Sequence, residues 1–436
     1  MKSLLAPYLI LTLLNFFCVK ASFAAETLNF QQSLERAEQK SPGLNTLKLR
    51  AENAELASKS AWAALFPTVD LQATHTYAEQ NTNPYFSTSY RHAPWSNQAG
   101  LSINENLYDN GLTWRQGRIA DLELELQQLN FDSGRGQLLV TVAKAYYDYS
   151  LAIAAGQLQR QQIETLKTQF RTIDGRYRQG VSSNRDYLRI KAQLQSSEIG
   201  LLSQEIQVQQ AKQNLRVAIG DTADLEFVPL IPRPLVNSPL SSVTLESTYG
   251  FRISDTQNRI SEITLESARR LQWPKFSLKG SYNYVVPQYI GERTNGTDDP
   301  YWNLQAMVVL DFRLWDWGST QRTARIAENL KRIDNNTQAV NTLRVREDLV
   351  QLEGQIKLLH ESYKVSQQIL KANQEVYDSL NRGYRDGKIS YLDLITALGS
   401  LYQSRSQDLI LKFNVLKSRL DWAYYEGKVD EVLKSQ

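Results

Sequence analysis

The sequence predicts a mainly α-helical chain that also carries membrane-class β-strands, laid out as one helix–strand–strand–long helix–helix unit written twice. Three observations predict it. The chain matches itself at a single offset of 207 positions. Within each copy the apolar period changes from 3.6 residues to 2 and then back. Each copy then runs without proline from Gly111 to about Arg178, or from Gly318 to about Arg385, which is too long a helix for a compact domain.

At that offset Phe66-Pro67 falls on Trp273-Pro274, Tyr77 on Tyr284 and Trp95 on Trp302. "LYDNG" (Leu107 to Gly111) falls on "LWDWG" (Leu314 to Gly318), Arg115 on Arg322, Tyr177 on Tyr384, Gly180 on Gly387, Asp186 on Asp393 and Gly220 on Gly427. From about residue 44 onward no gap is needed. Chance does not hold one register over so many Gly, Pro and aromatic positions, and the period is far longer than that of a solenoid repeat.

The elements follow in order. Residues 1–24 read as a signal peptide: Lys2, an apolar run, then small residues at Ser22 and Ala24 before a cleavage site. Cys18 leaves with it, so no disulfide or thiol chemistry is expected. The first repeat is 25–228, with strands at about 67–78 and 95–108 and long helices at about 111–178 and 184–219. A Pro-rich linker, 229–242, carries Pro229, Pro232, Pro234 and Pro239. The second repeat is 243–436, with strands at about 274–286 and 301–315 and long helices at about 318–385 and 391–426. Ser41-Pro42 reads as the N-cap and first residue of a helix that Pro67 stops.

In the strands the alternation is plain. Val69, Leu71, Ala73, His75 and Tyr77 share one face; so do Phe276, Leu278, Gly280, Tyr282 and Tyr284, and Trp302 through Leu314 in steps of two. Glu105 interrupts the first copy where Phe312 stands in the second. A half-buried sheet in a soluble protein alternates in the same way. The aromatic ends (Tyr77, Trp95, Tyr108, Trp114; Tyr284, Trp302, Trp315, Trp317) favour strands tilted through an outer membrane between interfacial girdles. After each long helix a turn leads into another helix with apolar residues seven apart: Tyr187, Leu194, Leu201, Val208 and Leu215, then Ile395, Tyr402, Leu409 and Leu416. Four strands cannot close a barrel, and lipid tolerates no open edge. The chain must therefore pool its strands with copies of itself, to 8, 12 or 16.

Composition excludes other classes. With 22% charged residues the formal net charge is +3, and +1 without Lys2 and Lys20, which makes no case for nucleic acid. At a mean hydropathy of −0.43, no later segment reads as a transmembrane helix. His75, His92 and His360 are scattered, and no nucleophile, phosphate-loop or metal-ligand pattern is present. No enzyme and no cofactor are expected.

On the signal peptide, the "SPGL…LFP" opening, the duplicated strand pair, "LYDNG" and "LWDWG", and the turns "YRQGVSSNRD" and "YRDGKISYLD", the whole mature chain resembles the TolC family of outer-membrane ducts. That resemblance implies a homotrimer, with a 12-stranded β-barrel in outer-membrane lipid continued by a 12-helix α-barrel into the periplasm. It implies a passive exit duct of a tripartite efflux pump or type I secretion system. Its partners are then a periplasmic adaptor (membrane-fusion) protein and an inner-membrane pump of RND, ABC or MFS class. The two turns become periplasmic tips. Gly180, Val181, Ser182, Ser183, Gly387, Lys388, Ile389 and Ser390 become adaptor contacts.

The family's closed gate is held by an Asp on one tip helix reaching a Tyr and an Arg on the other. Asp186 and Tyr384 stand at the matching positions. Ile389 replaces the Arg, leaving Arg385 or Lys388 as substitutes. Asp393 matches an acidic lumen position, which would favour cations, while Thr396 occupies the second such position. Asp186 and Asp393 equally suit helix capping, and Gly180 and Gly387 suit plain helix C-termini. The competing functional reading is a soluble periplasmic coiled-coil adaptor or structural protein.

Overall fold

The structure is a computed structural model that describes residues 26–77, 95–221, 225–231, 242–288 and 300–434. The expected signal peptide, the loops after Tyr77 and Gln288 and most of the expected linker lie outside these residues.

The first elements are set by local chemistry. After a short strand β1 (Glu26–Leu28), Asn29 opens α1 (Phe30–Lys40). Its Oδ1 accepts from the Gln32 amide at 2.8 Å, and its own amide donates to Gln32 Oε1 at 2.9 Å, a reciprocal cap that satisfies two otherwise unpaired groups. Phe30, Ser33, Leu34 and Ala37 are buried along one stripe. Ser41 then caps α2 (Pro42–Ala63), with Oγ accepting from the Leu44 amide at 3.3 Å and proline in the first turn, where its missing N–H costs nothing.

Two strands follow, β2 (Thr68–Tyr77) and β3 (Trp95–Tyr108). Beyond β3 the "LYDNG" stretch becomes a turn into the long helix α3 (Leu112–Arg178). Asn110 and Gly111 both take left-handed backbone, at φ 62° and 71°. The Asp109 carboxylate accepts from the Thr113 amide at 2.7 Å, closing the helix start. The second copy repeats this turn at "LWDWG": Trp317 and Gly318 have φ 55° and 75°, and Asp316 accepts from the Thr320 amide at 2.8 Å. Next come α4 (Asn184–Ile219) and a short strand, β4 (Leu225–Phe227). A 3-10 turn (Leu245–Ser247) leads into α5 (Tyr249–Arg269), followed by β5 (Lys275–Gln288), β6 (Tyr301–Asp311), α6 (Ser319–Arg385), α7 (Tyr391–Glu426) and α8 (Val429–Lys434). At 67 residues each, α3 and α6 are about 100 Å long.

The larger sheet runs β2-β3-β5-β6, antiparallel throughout, so its central pairing joins strands of the two repeats. Its register puts the alternating apolar positions of the four strands on one face, with Met307 and Val309 among the exceptions that fall on the other. Leu71 stands opposite Leu101, Leu101 opposite Tyr282, and Tyr282 opposite Leu304. Asp70, Ser102, Ser281 and Gln305 form the corresponding row on the other face. Within the chain, β2 is exposed along its whole length and β6 nearly so. β6 ends at Asp311 rather than near residue 315, as the sequence suggests. Its twin β3 continues to Tyr108 because β5 lies beside it, whereas residues 312–315 have no neighbouring strand to hold an extended ladder.

The chain divides into two compact units that are not the two repeats: the described residues within Met1–Ala37 and Val142–Pro232, and those within Glu38–Thr141 and Arg233–Gln436. The first is built on an aromatic cluster. Phe30 packs on Tyr146 and Tyr147, and Phe227 on Tyr146 and Tyr149, with ring centroids 5.2–6.3 Å apart. β4 lies parallel to β1, and the Tyr146 and Tyr149 hydroxyls donate to the Val228 and Phe227 carbonyls. The second unit holds the four-stranded sheet, the α5–α6 and α6–α7 pairings, and a charge cluster in which Arg135 grips Asp430 at 2.9 and 3.0 Å and Glu38 at 2.6 Å.

Candidate functional site: the two helix–turn–helix tips

Both expected tips are tight reversals with the same backbone. α3 ends when Gly180 turns left-handed at φ +73°; the Gly180 amide donates to the Tyr177 carbonyl at 2.9 Å and the Val181 amide to the Arg176 carbonyl at 2.9 Å. α6 ends likewise at Gly387, φ +74°, through Gly387 to Tyr384 at 3.1 Å and Lys388 to Gly383 at 2.9 Å. This is the Schellman termination, and it explains why glycine stands at both positions: a Cβ there would be strained although space around it is open.

Three residues after each glycine, serine starts the returning helix. The Ser183 Oγ accepts from the Asp186 amide at 3.1 Å and its hydroxyl donates to the Asp186 carboxylate at 2.7 Å. Ser390 and Asp393 repeat this at 3.2 and 2.7 Å. The carboxylates of Asp186 and Asp393 therefore serve as helix-start groups, close to the partial positive charge of the first turn. Asp186 lies in the first compact unit, and Tyr384, Arg385 and Asp393 lie in the second.

Each tip is braced by its own ring pair. Tyr177 stacks on Tyr187 at 4.9 Å, and Phe170 adds a contact to Tyr187 at 5.8 Å. Tyr384 packs on Tyr391 at 5.9 Å. Ile389, at the position where the resemblance calls for Arg, lies over Gly383, where a Cβ would come within 2.6 Å of its Cγ1. Gly180, Val181, Ser183, Gly387, Lys388 and Ser390 are exposed; Ser182 and Ile389 are half-buried. Sequence reasoning missed the bracing rings Tyr187 and Tyr391. The signal was present, since each lies within the first turn or so of a helix whose predecessor has a tyrosine as its next-to-last residue.

On the sheet, His75 does not stand alone: its Nδ1 lies 2.5 Å from Asn97 Oδ1, a polar pair on the mainly apolar face that also carries Glu105. Among the described residues no group of His, Cys, Asp or Glu forms a metal site, and no helix is long and apolar enough to cross a membrane.

With that geometry in view, the Outer membrane efflux protein family model matches residues 33–221 and 259–421. The chain belongs to the outer membrane efflux protein family. Members of this family are outer-membrane channels rather than enzymes, and this chain is a channel protein of the outer membrane with a periplasmic extension. It is similar to "Outer membrane protein TolC" of Salmonella enteritidis and of Escherichia coli K12, 22% identical to each over 99% of this chain and 87% of theirs. In fold it is similar to the outer membrane protein VceC of Vibrio cholerae (TM-score 0.75, 16% identity, 92% of this chain and 96% of that one). It is likewise similar to the CmeC outer membrane channel of Campylobacter jejuni (TM-score 0.74, 15% identity, 92% and 86%).

Proposed function

We propose that this efflux-family channel works as a homotrimeric exit duct, passively conducting substrate handed to it by a periplasmic adaptor and an inner-membrane pump, in a tripartite efflux pump or a type I secretion system. The observation that carries this is the sheet. Four strands with one apolar face, exposed within the chain and open at both edges, feed two 67-residue helices. An apolar face and two free edges are stable in lipid only when the sheet is closed by more strands. Three copies give 12, within the range of bacterial barrels.

The tips are the proposed adaptor surface, supported by their exposure and their shared backbone. Asp186, Tyr384, Arg385 and Asp393 are the proposed gate. The duct reading is tested by extracting the protein from outer-membrane fractions in mild detergent, measuring its native mass, and reconstituting it in planar bilayers. A trimer with discrete conductance is expected. A monomer in the soluble periplasmic fraction would instead favour a coiled-coil structural protein.

A further inference from the structure

The 207-residue repeat supplies a template for the surface that receives the next copy. Inside the chain, the first repeat meets the second through β3 against β5 and through α3 against α5. Asn106 stands opposite Ser277 and Tyr108 opposite Phe276. Glu125 lies 3.4 Å from the Arg259 guanidinium. Arg115, almost wholly buried, donates from Nε to Ser267 Oγ at 3.1 Å. Moving every contact on by one repeat lands its first member on β6, the following turn or α6, and returns its second member to β2 or α2. In the single chain the outer edges of β2 and β6 are unpaired, and α2 and α6 carry largely exposed faces.

The residues found there are complementary. Asn106 and Ser277 become Arg313 and Asp70, an opposite-charge pair. Glu125 and Arg259 become Arg332 and Glu52, so acid and base exchange places while the pair remains a pair. Arg115 and Ser267 become Arg322 and Ser60, again arginine to serine. Among the described residues, Asp70, Arg313 and Glu52 take part in no ion pair, and Arg332 reaches only Glu328 on its own helix at 2.8 Å. Arg322 is exposed where its twin is buried. Trp315 and Trp317 are 74% and 81% exposed at the end of the unpaired edge.

We propose that β6 and α6 of one copy receive β2 and α2 of a second copy in this register, with Arg313 opposite Asp70 of the partner subunit and Arg332 beside Glu52 of the partner subunit. The proposal rests on the self-assembling duct reading and adds its residue-level contact. A second copy is the occupant because the complement to each open position is written in this same chain at the fixed offset. β6 then lengthens through residues 312–315, as β3 does beside β5. The exchange of acid for base separates the two kinds of contact: an α6 carrying Arg332 fits the α2 with Glu52 and meets like charge at the Arg259 position of α5. That opposes copies joining second repeat to second repeat.

The test is a double variant of the full chain, Asp70→Cys with Arg313→Cys, oxidised in mild-detergent extracts. Directly opposed residues of an antiparallel pair have Cα atoms about 4.5–5.5 Å apart, within disulfide range. Covalent dimers and trimers are expected on a non-reducing gel, lost on reduction and absent from either single variant. The control is Asp70→Cys with Asp311→Cys, a diagonal neighbour at about 7–8 Å in this register. Cross-linking of the control in preference to the first pair, from a protein that is still trimeric, overturns the register and leaves the duct intact. A monomer overturns both.

A second measurement does not depend on cysteines. Glu52→Arg should lower the temperature at which the native trimer dissociates, and Arg332→Glu in the same chain should restore it. Dissociation unchanged by either variant, or equally lowered in the double variant, overturns the charge exchange.

Discussion

Replacing Ser183 with Ala removes one oxygen from the first tip and leaves the Asp186 carboxylate in place. That oxygen accepts from the Asp186 amide at 3.1 Å and donates to the Asp186 carboxylate at 2.7 Å. The Tyr187 amide keeps its bond to the Ser183 carbonyl at 3.2 Å, so the helix loses its cap but not its first turn. Loss of a serine cap costs about 1 kcal/mol, which is roughly a fivefold rise in local opening of that turn. Native-state hydrogen exchange at residues 185–187 should register it, and Ser390→Ala should do the same at the second tip. The comparison with Asp186→Ala carries the functional content. That variant removes the same cap partner and also the charge proposed to hold the gate. If the carboxylate is a latch, Asp186→Ala raises single-channel conductance in planar bilayers while Ser183→Ala leaves it unchanged despite the faster exchange. Equal conductance gains in the two variants would refute the latch, since a frayed helix start would then account for both. Unchanged exchange in Ser183→Ala would refute the cap.

Two further outcomes follow from the fold. The Asp109 carboxyl is pushed up by partial burial, but the Thr113 hydroxyl and the surrounding backbone amides outweigh this and hold it below the usual range; Asp316 is lowered chiefly by the Thr320 hydroxyl. A lowered folded pKa means stability that is present above the unfolded value of about 3.9 and lost as pH falls through the folded one. Exchange protection at Thr113 and Thr320 should therefore decline below about pH 4, whereas Asp109→Ala with Asp316→Ala should lack that protection at neutral pH and show no such acid step. An unaltered acid step in the double variant would place its origin elsewhere. Phe227→Ala should destabilise the first unit by about 3–5 kcal/mol, because a nearly buried ring touching Tyr146 and Tyr149 leaves a cavity. Limited proteolysis should then cleave within 142–221 at lower temperature than in Phe227→Leu, and equal resistance of the two variants would remove the cluster from the stabilising core.

The sequence by itself determined the class of the fold. The 207-residue repeat and the changes of apolar period are local signals, so helices, paired strands and tips could be read from spacing alone. Glycine at 180 and 387 could be read as a helix end because only glycine takes that backbone without strain. Contacts that join distant segments are not written in local spacing. That β3 pairs with β5, placing the two repeats in one sheet, is a matter of register between residues as distant in sequence as Tyr108 and Phe276, and alternation names a face but no neighbour. The parallel pairing of β1 with β4 went unread because three residues give no period. Glu26, Thr27 and Leu28 are strand only because 225–227 lie beside them. At the tips, the sequence marked Asp186 and Asp393 as either gate or cap. The structure places a serine hydroxyl on each carboxylate, a local contact between residues three apart at the helix start. Phe312 to Trp315 have every strand-forming quality their twins have, yet β6 stops at Asp311, because a ladder needs a partner and the single chain holds none for it there.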